Sequence, residues 1–345
     1  MYLENGNLII SPSDVVVFLE SEFASWMDRW LVGEYKSGPV IPSVADKLQP
    51  TPDQADLQTL LFAKKGMQHE IAFLDDLKQQ GKQIVEIGRD NSPFDTTIAA
   101  MREGTDFIYQ ARLETPGFGG WADFLVKREG ASVFGPHHYE PWDTKLARSP
   151  KAHFIVQLCA YSDMLEQVQG RQPSEFEIVL GDSARVQFRT NSYRYYYREL
   201  LLAFEEFLRE FDPSNPPQPG LSREYGRWTT YAAQIFEESD HLSVVANITR
   251  GQIKKFEEAS VPTASALAVS DITSVPGMAS DVMERLKTQA KLQIASKKMG
   301  EPKYQVRDAD PNNGRLGLTM LPPASPNDVF FDFEGFPLAD GGLEY

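Results

Sequence analysis

The sequence predicts an α/β fold, with a mixed β-sheet flanked by helices and followed by a small all-α segment. Apolar residues at helical spacing over 53–80 precede three β-like runs that turn-rich segments separate. A second helical stretch at 150–169 and a hairpin follow these runs. A Pro-rich segment, DPSNPPQPG at 212–220, then leads into a region of short helices at 222–298.

Periodicity and flanking residues indicate each element of the first region. Ser and Asp caps precede the apolar pattern of residues 11–31, and a glycine ends the helix predicted over 93–104. The segments TPGFG and GASVFGP separate the three β-like runs. In chain order we predict helix 11–31, helix 53–80, strand 82–87, helix 93–104, strands 106–114, 120–129 and 137–147, helix 150–169, a hairpin over 175–190, and helix 191–211.

The Pro-rich break divides the chain into a first domain, residues 1–211, and a helical segment, 222–298. Within that segment, residues 247–268 and 271–290 each show the pattern of a short helix, a tight turn and a second helix. The PGM turn at 276–278 is the clearer turn signal. We expect a linker over 299–326 and the start of a strand-rich unit at 327–345.

Composition excludes several classes of protein. The chain has 345 residues, 41% of them hydrophobic, which is enough for a packed core. A single cysteine, Cys159, excludes an intrachain disulfide framework and a cysteine-rich zinc or iron–sulfur site from this chain alone. No stretch approaches the ~20 apolar residues of a membrane helix, and no basic region precedes an apolar run at the N-terminus. We therefore expect a cytoplasmic protein with no membrane partner and no secretory signal.

The net charge is −15 and the isoelectric point is near 4.9. This balance disfavours electrostatic binding of nucleic acid over the whole surface. Any contact with nucleic acid has to be local, through a basic groove or a metal ion that neutralises phosphate beside clustered carboxylates.

Two acidic residues and a lysine lie on neighbouring predicted strands. Asp143 and Lys145 are two residues apart and therefore share one face of their strand, and the preceding strand can bring Asp123 alongside. Carboxylates hold Mg²⁺ or Mn²⁺ with hard oxygen ligands. A lysine can orient or deprotonate the attacking water and offset charge in the transition state of phosphodiester cleavage.

These residues carry a resemblance to a known family. The series QHE (68–70), GWAD (120–123), DTK (143–145) and QLCAY (157–161) resembles the motifs of RecB-like PD-(D/E)XK nucleases. The resemblance implies a restriction-endonuclease-like core, with Asp123 and Asp143 as the principal metal ligands and Lys145 as the catalytic lysine. It further implies a backbone ligand at Thr144, a ligand at His69 with Glu70 as its substitute, and support for the lysine from Gln157 and Tyr161.

The wider layout resembles bacterial proteins in which such a nuclease precedes a helix-hairpin-helix-like segment, an RNase H-like domain and a superfamily 1 helicase. FFDFEGFP (330–337) is similar to the opening strand of the RNase H-like domain, with Asp332 and Glu334 as its first acids. The chain would then be the front part of a longer helicase-nuclease. Many relatives hold an iron–sulfur cluster through cysteines, which this chain lacks.

Three functions follow as hypotheses. The first is a Mg²⁺- or Mn²⁺-dependent nuclease that hydrolyses single- or double-stranded DNA in repair or end processing, with a helicase in cis or in trans. The second is a catalytically weak nucleic-acid-binding module that positions a helicase. The third replaces DNA with RNA as the substrate.

Two further segments each allow two interpretations. In SYRYYYRELL (192–201), interleaved Arg and Tyr residues could bind bases and phosphates or could be packed and solvated residues of a helix. The run RGQIKK (250–255) could contact a phosphate backbone or serve only in packing.

Overall fold

The computed structural model describes residues 1–33, 50–89, 92–306 and 320–332, together with the backbone of 335–336 and 343–344. The chain divides into two compact units, Met1–Tyr231 and Ala232–Tyr345. Within this part of the chain, no helix has the length and the apolar character needed to cross a membrane.

The first unit is an α/β fold around a six-stranded mixed sheet. Its elements are β1 (Tyr2–Glu4), β2 (Asn7–Ile9), α1 (Pro12–Glu20), α2 (Glu22–Val32), α3 (Leu57–Gln79), β3 (Ile84–Glu86), α4 (Pro93–Glu103), β4 (Phe107–Thr115), β5 (Phe118–Ser132), β6 (Gly135–Lys145), α5 (Ala152–Gln169), β7 (Glu175–Leu180), β8 (Arg185–Arg189) and α6 (Arg194–Arg209). The predicted mixed sheet with flanking helices is confirmed, and every strand predicted between residues 82 and 190 is present.

The sheet has the order β3-β4-β5-β6-β7-β8. Strands β4, β5 and β6 form an antiparallel meander, because short turns connect them. Two parallel pairs, β3 with β4 and β6 with β7, flank the meander, and α4 and α5 provide the respective crossover connections. Strand β8 returns antiparallel to β7.

Helices cover both faces of this sheet. On one face α3 packs Leu74 and Leu77 against Phe107, Phe124 and Trp142. The other face carries the larger core, to which α1, α4, α5 and α6 contribute side chains. Residues such as Ile108, Leu125 and Ile178 supply the sheet side of that core, so alternate strand positions are apolar on both faces.

The N-terminal region differs from the prediction in two ways. The helix predicted over 11–31 is two helices, because Ser21 has extended backbone and caps the second one by accepting a hydrogen bond from the amide of Ala24 (2.9 Å). In addition, β1 and β2 form a hairpin that was not predicted. Asn5 and Gly6 both have positive φ at its turn. An Asn-Gly pair is typical of such a turn, but hydrophobic periodicity does not reveal it.

The Pro-rich stretch and the residues after it, as far as Tyr231, belong to the first unit. The Trp26 indole donates to the carbonyl of Asp212 (3.2 Å), and the amide of Phe23 donates to the Ser222 hydroxyl (3.3 Å). The buried Trp228 indole donates to the Asp28 carboxylate (2.8 Å). The first compact unit accordingly extends to Tyr231.

The second unit contains the helices that follow the break. They are α7 (Thr229–Glu238, which begins in the first unit), α8 (Arg250–Glu258), α9 (Ala264–Val269) and α10 (Ser280–Met299). Leu242, Phe256, Leu267, Met283 and Leu286 lie in its core. The helix–turn–helix pattern predicted over 247–268 is confirmed by α8 and α9.

Two predictions for the second unit are wrong. No helix precedes the PGM turn within 271–279, because Pro276 lacks an amide donor and disfavours helical backbone at the residue before it. The strand predicted over 327–338 is reduced to β9 (Gly335–Phe336), which pairs with β10 (Leu343–Glu344). Residues 328–332 have no ladder partner among the described residues, and Glu334 lies outside them.

Candidate active site

The candidate site lies where β5 and β6 separate. Their ladder runs from Ser132↔Gly135 to Phe124↔Trp142. Beyond that pair β5 continues alongside β4, and β6 continues alongside β7 as far as Lys145. The two strands therefore leave a gap between them, with Asp123 on one side and Asp143 on the other.

Asp123, Asp143 and Lys145 come together at this gap. The Lys145 ammonium contacts both carboxylate oxygens of Asp143, at 2.9 Å and 2.7 Å. Asp143 is 1% exposed, whereas the lysine side chain retains 23% of its surface. The amide of Thr144 donates to the Asp123 carboxylate at 3.2 Å, so a side chain of β5 bridges to β6 where the backbone ladder has ended.

Burial and mutual repulsion change the acidity of this group. Desolvation, followed by the charge of Asp143 and a hydrogen bond to it, raises the pKa of Asp123 well above its ordinary value. Desolvation alone would lower the pKa of Lys145. The charges of Asp143 and Asp123 outweigh it, so the lysine pKa is raised and the side chain stays charged.

A third carboxylate reaches the site from α3. Glu70 is half-buried, and desolvation together with the charge of Asp123 raises its pKa. Its side chain accepts hydrogen bonds from Tyr109 and from the side-chain amide of Gln110 (2.5 Å). The phenol pKa of Tyr109 is raised in turn, by desolvation and by this hydrogen bond. These contacts hold the Glu70 carboxylate where its charge is coupled to Asp123 and to Lys145.

Gln110 has a strained backbone at this point. Its φ of 51° is in the left-handed region, which a non-glycine residue rarely adopts inside a strand. The β4–β5 register passes from Tyr109↔Phe124 to Ala111↔Ala122, without a pair between Gln110 and Asp123. The irregularity interrupts the ladder at the level of Asp123 and turns the Gln110 amide towards Glu70.

Gln157 and Tyr161 share one side of α5, as their spacing predicts. The buried Tyr161 phenol donates to the carbonyl of Trp121 at 2.5 Å and also bonds to Gln157. Desolvation, with the charges of Asp123 and Asp143, raises its pKa. Tyr161 thus ties α5 to β5 two residues before Asp123.

His69 and Thr144 are the remaining predicted ligands. The Nε2 atom of His69 is buried and has no hydrogen-bond partner among the described residues. Thr144 contacts Asp123 through its backbone amide. Neither observation tests a bond to metal, so both assignments stay predictions. On α3, Glu70 is the residue whose charge is coupled to Asp123 and to Lys145.

The donor set suits a hard divalent cation. The facing carboxylates of Asp123 and Asp143 repel each other in a buried setting, and Glu70 adds a third oxygen donor. In the described ranges, no group of three or more His, Cys, Asp or Glu side chains is already gathered around a common point as a metal cage. Lys145 supplies positive charge to the two aspartates.

Sequence reasoning missed Tyr109 and Gln110. Both precede the site on a predicted strand and look like ordinary alternating residues there. The only available sign was the polar pair Tyr-Gln in an otherwise apolar strand centre, FIYQARL. A left-handed backbone at Gln110 has no signature in the residue type.

Both arginines of the Arg/Tyr-rich stretch are engaged within the fold. Arg194 and Arg198 form ion pairs with Glu166 and Asp163, and Tyr197 is buried. These arginines are therefore already neutralised by α5, which supports the packing interpretation for them.

No protein-family model matches the chain, and no curated protein matches its sequence.

Proposed function

We propose that the protein is a nuclease that depends on Mg²⁺ or Mn²⁺ and hydrolyses DNA phosphodiester bonds. The observation that carries this proposal is the contact of Asp123, Asp143 and Lys145 at the gap between β5 and β6. A buried carboxylate, a half-buried carboxylate next to it and a charged lysine offer cation ligands and positive charge in one place.

We further propose that the sheet is a PD-(D/E)XK core. The order α3, antiparallel β4-β5-β6, α5, and β7 parallel to β6 supports this assignment. So does the position of the acidic residues on the two central strands. The alternation of GWAD, DTK and QLCAY along the chain agrees with the same order.

Asp123 and Asp143 are the residues that would hold the metal ion, with Glu70, His69 and the Thr144 carbonyl as further donors. A bound cation would supply Lewis-acid chemistry to the phosphate and to an attacking water. The charged Lys145 would orient the water or the phosphate and offset negative charge that develops on the phosphoryl oxygens. Tyr161 would hold β5 in place through the Trp121 carbonyl, with Gln157 bonded to its phenol, and the pair would support the site that includes Lys145.

The test is a cleavage assay with purified protein on single-stranded DNA, double-stranded DNA and RNA, in Mg²⁺, Mn²⁺ or EDTA. We expect the wild-type protein to cut DNA in Mg²⁺ or Mn²⁺ and not in EDTA. Lys145→Ala and Asp143→Ala should lower the rate by about 100-fold or more, since each removes charge stabilisation of the transition state. Equal rates for the wild type and both variants in every metal would exclude the enzymatic function.

A second candidate is a catalytically weak module that binds nucleic acid and positions a helicase. Lys145 contacts both oxygens of Asp143, so this aspartate already has a compensating charge without a cation. The helical hairpin of α8 and α9 fits a gripping role. Binding of DNA without cleavage in the same assay would favour this candidate, and a preference for RNA would change the substrate.

A role in repair or end processing, with a helicase in cis or in trans, remains part of the proposed nuclease function.

A further inference from the structure

Arg89 is an exposed cation close to the candidate site. It follows β3, whose continuation runs beside β4, because the amide of Ile87 donates to the carbonyl of Tyr109 (3.0 Å). Its guanidinium carbon lies 4.8 Å from the centre of the Trp121 ring. A cation–π contact of this kind holds a flexible arginine in a defined place while its N–H donors stay available.

Arg89 has no ion-pair partner among the residues that the structure describes. Arg112 also lies near Trp121, at 5.7 Å, but it is bound to Glu114 (2.8 Å) and to the Tyr2 hydroxyl (2.9 Å). At the site itself, Lys145 is bound to Asp143. In a chain with a net charge of −15, an arginine without an ion-pair partner among the described residues is a local attraction for phosphate.

Trp121 connects this arginine to the proposed catalytic residues. It lies two residues before Asp123 on β5, a distance of about 6.6 to 6.8 Å along a strand. Its carbonyl accepts the hydrogen bond from Tyr161. Along with desolvation, the charges of Asp123 and Asp143 act on the Tyr161 phenol and raise its pKa. The residue that holds Arg89 and the Asp123 carboxylate therefore belong to the same strand, β5.

We propose that Arg89, held on the Trp121 ring, binds a backbone phosphate of the substrate strand next to the phosphate that is cut. The inference rests on the proposed nuclease function and adds to it a contact with nucleic acid outside the carboxylate group. A planar guanidinium suits a phosphate, because it can offer two parallel donors. The contact is with the backbone, so it carries affinity and not base specificity.

The experiment measures cleavage of a labelled single-stranded DNA in Mg²⁺ over a series of KCl concentrations. Arg89→Ala is compared with Arg102→Ala, which removes an exposed arginine from the last turn of α4. We expect Arg89→Ala to raise KM about fivefold with kcat nearly unchanged, and to reduce the slope of log(kcat/KM) against log[salt] by about 1. Arg102→Ala should change neither quantity.

Two further variants separate a phosphate contact from a structural role. Arg89→Lys keeps the charge but loses the planar stack, so it should recover the salt slope and only part of KM. Trp121→Leu should raise KM as Arg89→Ala does, and the double variant should be no worse than either single one. Trp121→Phe keeps an aromatic ring for Arg89 and replaces Trp121→Leu in these measurements if the leucine variant does not fold.

The outcomes distinguish the two proposals. If the wild-type protein neither cuts nor binds nucleic acid, the proposed function fails and this inference fails with it. If the wild type cuts DNA while Arg89→Ala behaves like Arg102→Ala, only the role of Arg89 is overturned. A fall in kcat with unchanged KM and unchanged salt slope would also overturn it.

Discussion

Asp123 shows how burial sets the chemistry of a single residue. Its carboxyl is desolvated and faces Asp143, so its raised pKa favours the protonated form when no cation is present. Burying like charges together is unfavourable for folding. The cation of the proposed function would offset this cost.

Asp123→Asn should therefore stabilise the protein in EDTA at neutral pH while abolishing metal-dependent cleavage. The folded state holds the Asp123 proton more tightly than the unfolded chain does, so the wild-type free energy of unfolding falls as pH rises from 3.8 through the raised folded pKa. Thermal melts at pH 8 should show the variant melting higher, by about 2–4 °C per kcal/mol. The gap should close as the pH falls towards 4, and a gap independent of pH would contradict the prediction.

Gln110 illustrates local strain kept beside a site. Its side chain donates to Glu70 from a left-handed backbone. Gln110→Gly and Gln110→Ala both remove this hydrogen bond, but glycine adopts positive φ freely and alanine does not.

We expect the free energy of unfolding of Gln110→Ala to be about 1 kcal/mol lower than that of Gln110→Gly, because alanine is disfavoured in the left-handed backbone. Both variants should lose cleavage activity to the same extent. Urea denaturation measures the first quantity and a rate assay the second. Equal stability would show that Gln110 can leave the left-handed conformation, and unequal activity would show that strain and not the Glu70 contact matters.

At the scale of elements, α5 and β5 are joined by a part-buried hydrogen bond, from the Tyr161 phenol to the Trp121 carbonyl. A close structural counterpart exists elsewhere in the same core. The buried Tyr139 phenol donates to the Thr105 carbonyl at 2.7 Å. The pair provides a comparison in which the bond type is the same and the location differs.

Tyr161→Phe and Tyr139→Phe should each lower the free energy of unfolding by about 1–2 kcal/mol, since each leaves a buried carbonyl without that donor. Only Tyr161→Phe should also lower the cleavage rate, by about tenfold, because it releases the strand that positions Asp123. Denaturation and cleavage are measured on both variants. A similar loss of activity in Tyr139→Phe would mean that general destabilisation explains the effect.

At the scale of the whole molecule, the described site residues all belong to the first compact unit, Met1–Tyr231. That unit contains its own cores on both faces of the sheet. Autonomous folding of this unit is therefore expected.

A chain shortened to Met1–Glu238, which keeps α7 whole, should melt in one cooperative transition and retain cleavage within about threefold of the full chain on short DNA. The control is the same shortened chain with Lys145→Ala, which should be inactive. Loss of folding on truncation would show that the first unit needs the rest of the chain. Loss of activity with intact folding would place part of the site beyond residue 238.

Sequence alone determined much of this protein. The hydrophobic periods of 3.6 and 2 residues located α3, α5 and the strands from β3 to β8, because amphipathic patterns depend on neighbours along the chain. Two-residue spacing placed Asp143 and Lys145 together, and four-residue spacing placed Gln157 and Tyr161 together. Each of these results needs only local geometry.

Tertiary structure decided the rest. Only the folded chain shows where β5 separates from β6. Two contacts join residues that are far apart in the chain: Glu70 approaches Asp123, and Arg89 contacts Trp121. The left-handed backbone of Gln110 and the raised pKa of Asp123 follow from the surrounding packing and burial, which no short sequence window contains. The sequence therefore identified the acidic and basic residues of the candidate site, and the fold set their distances and their charge states.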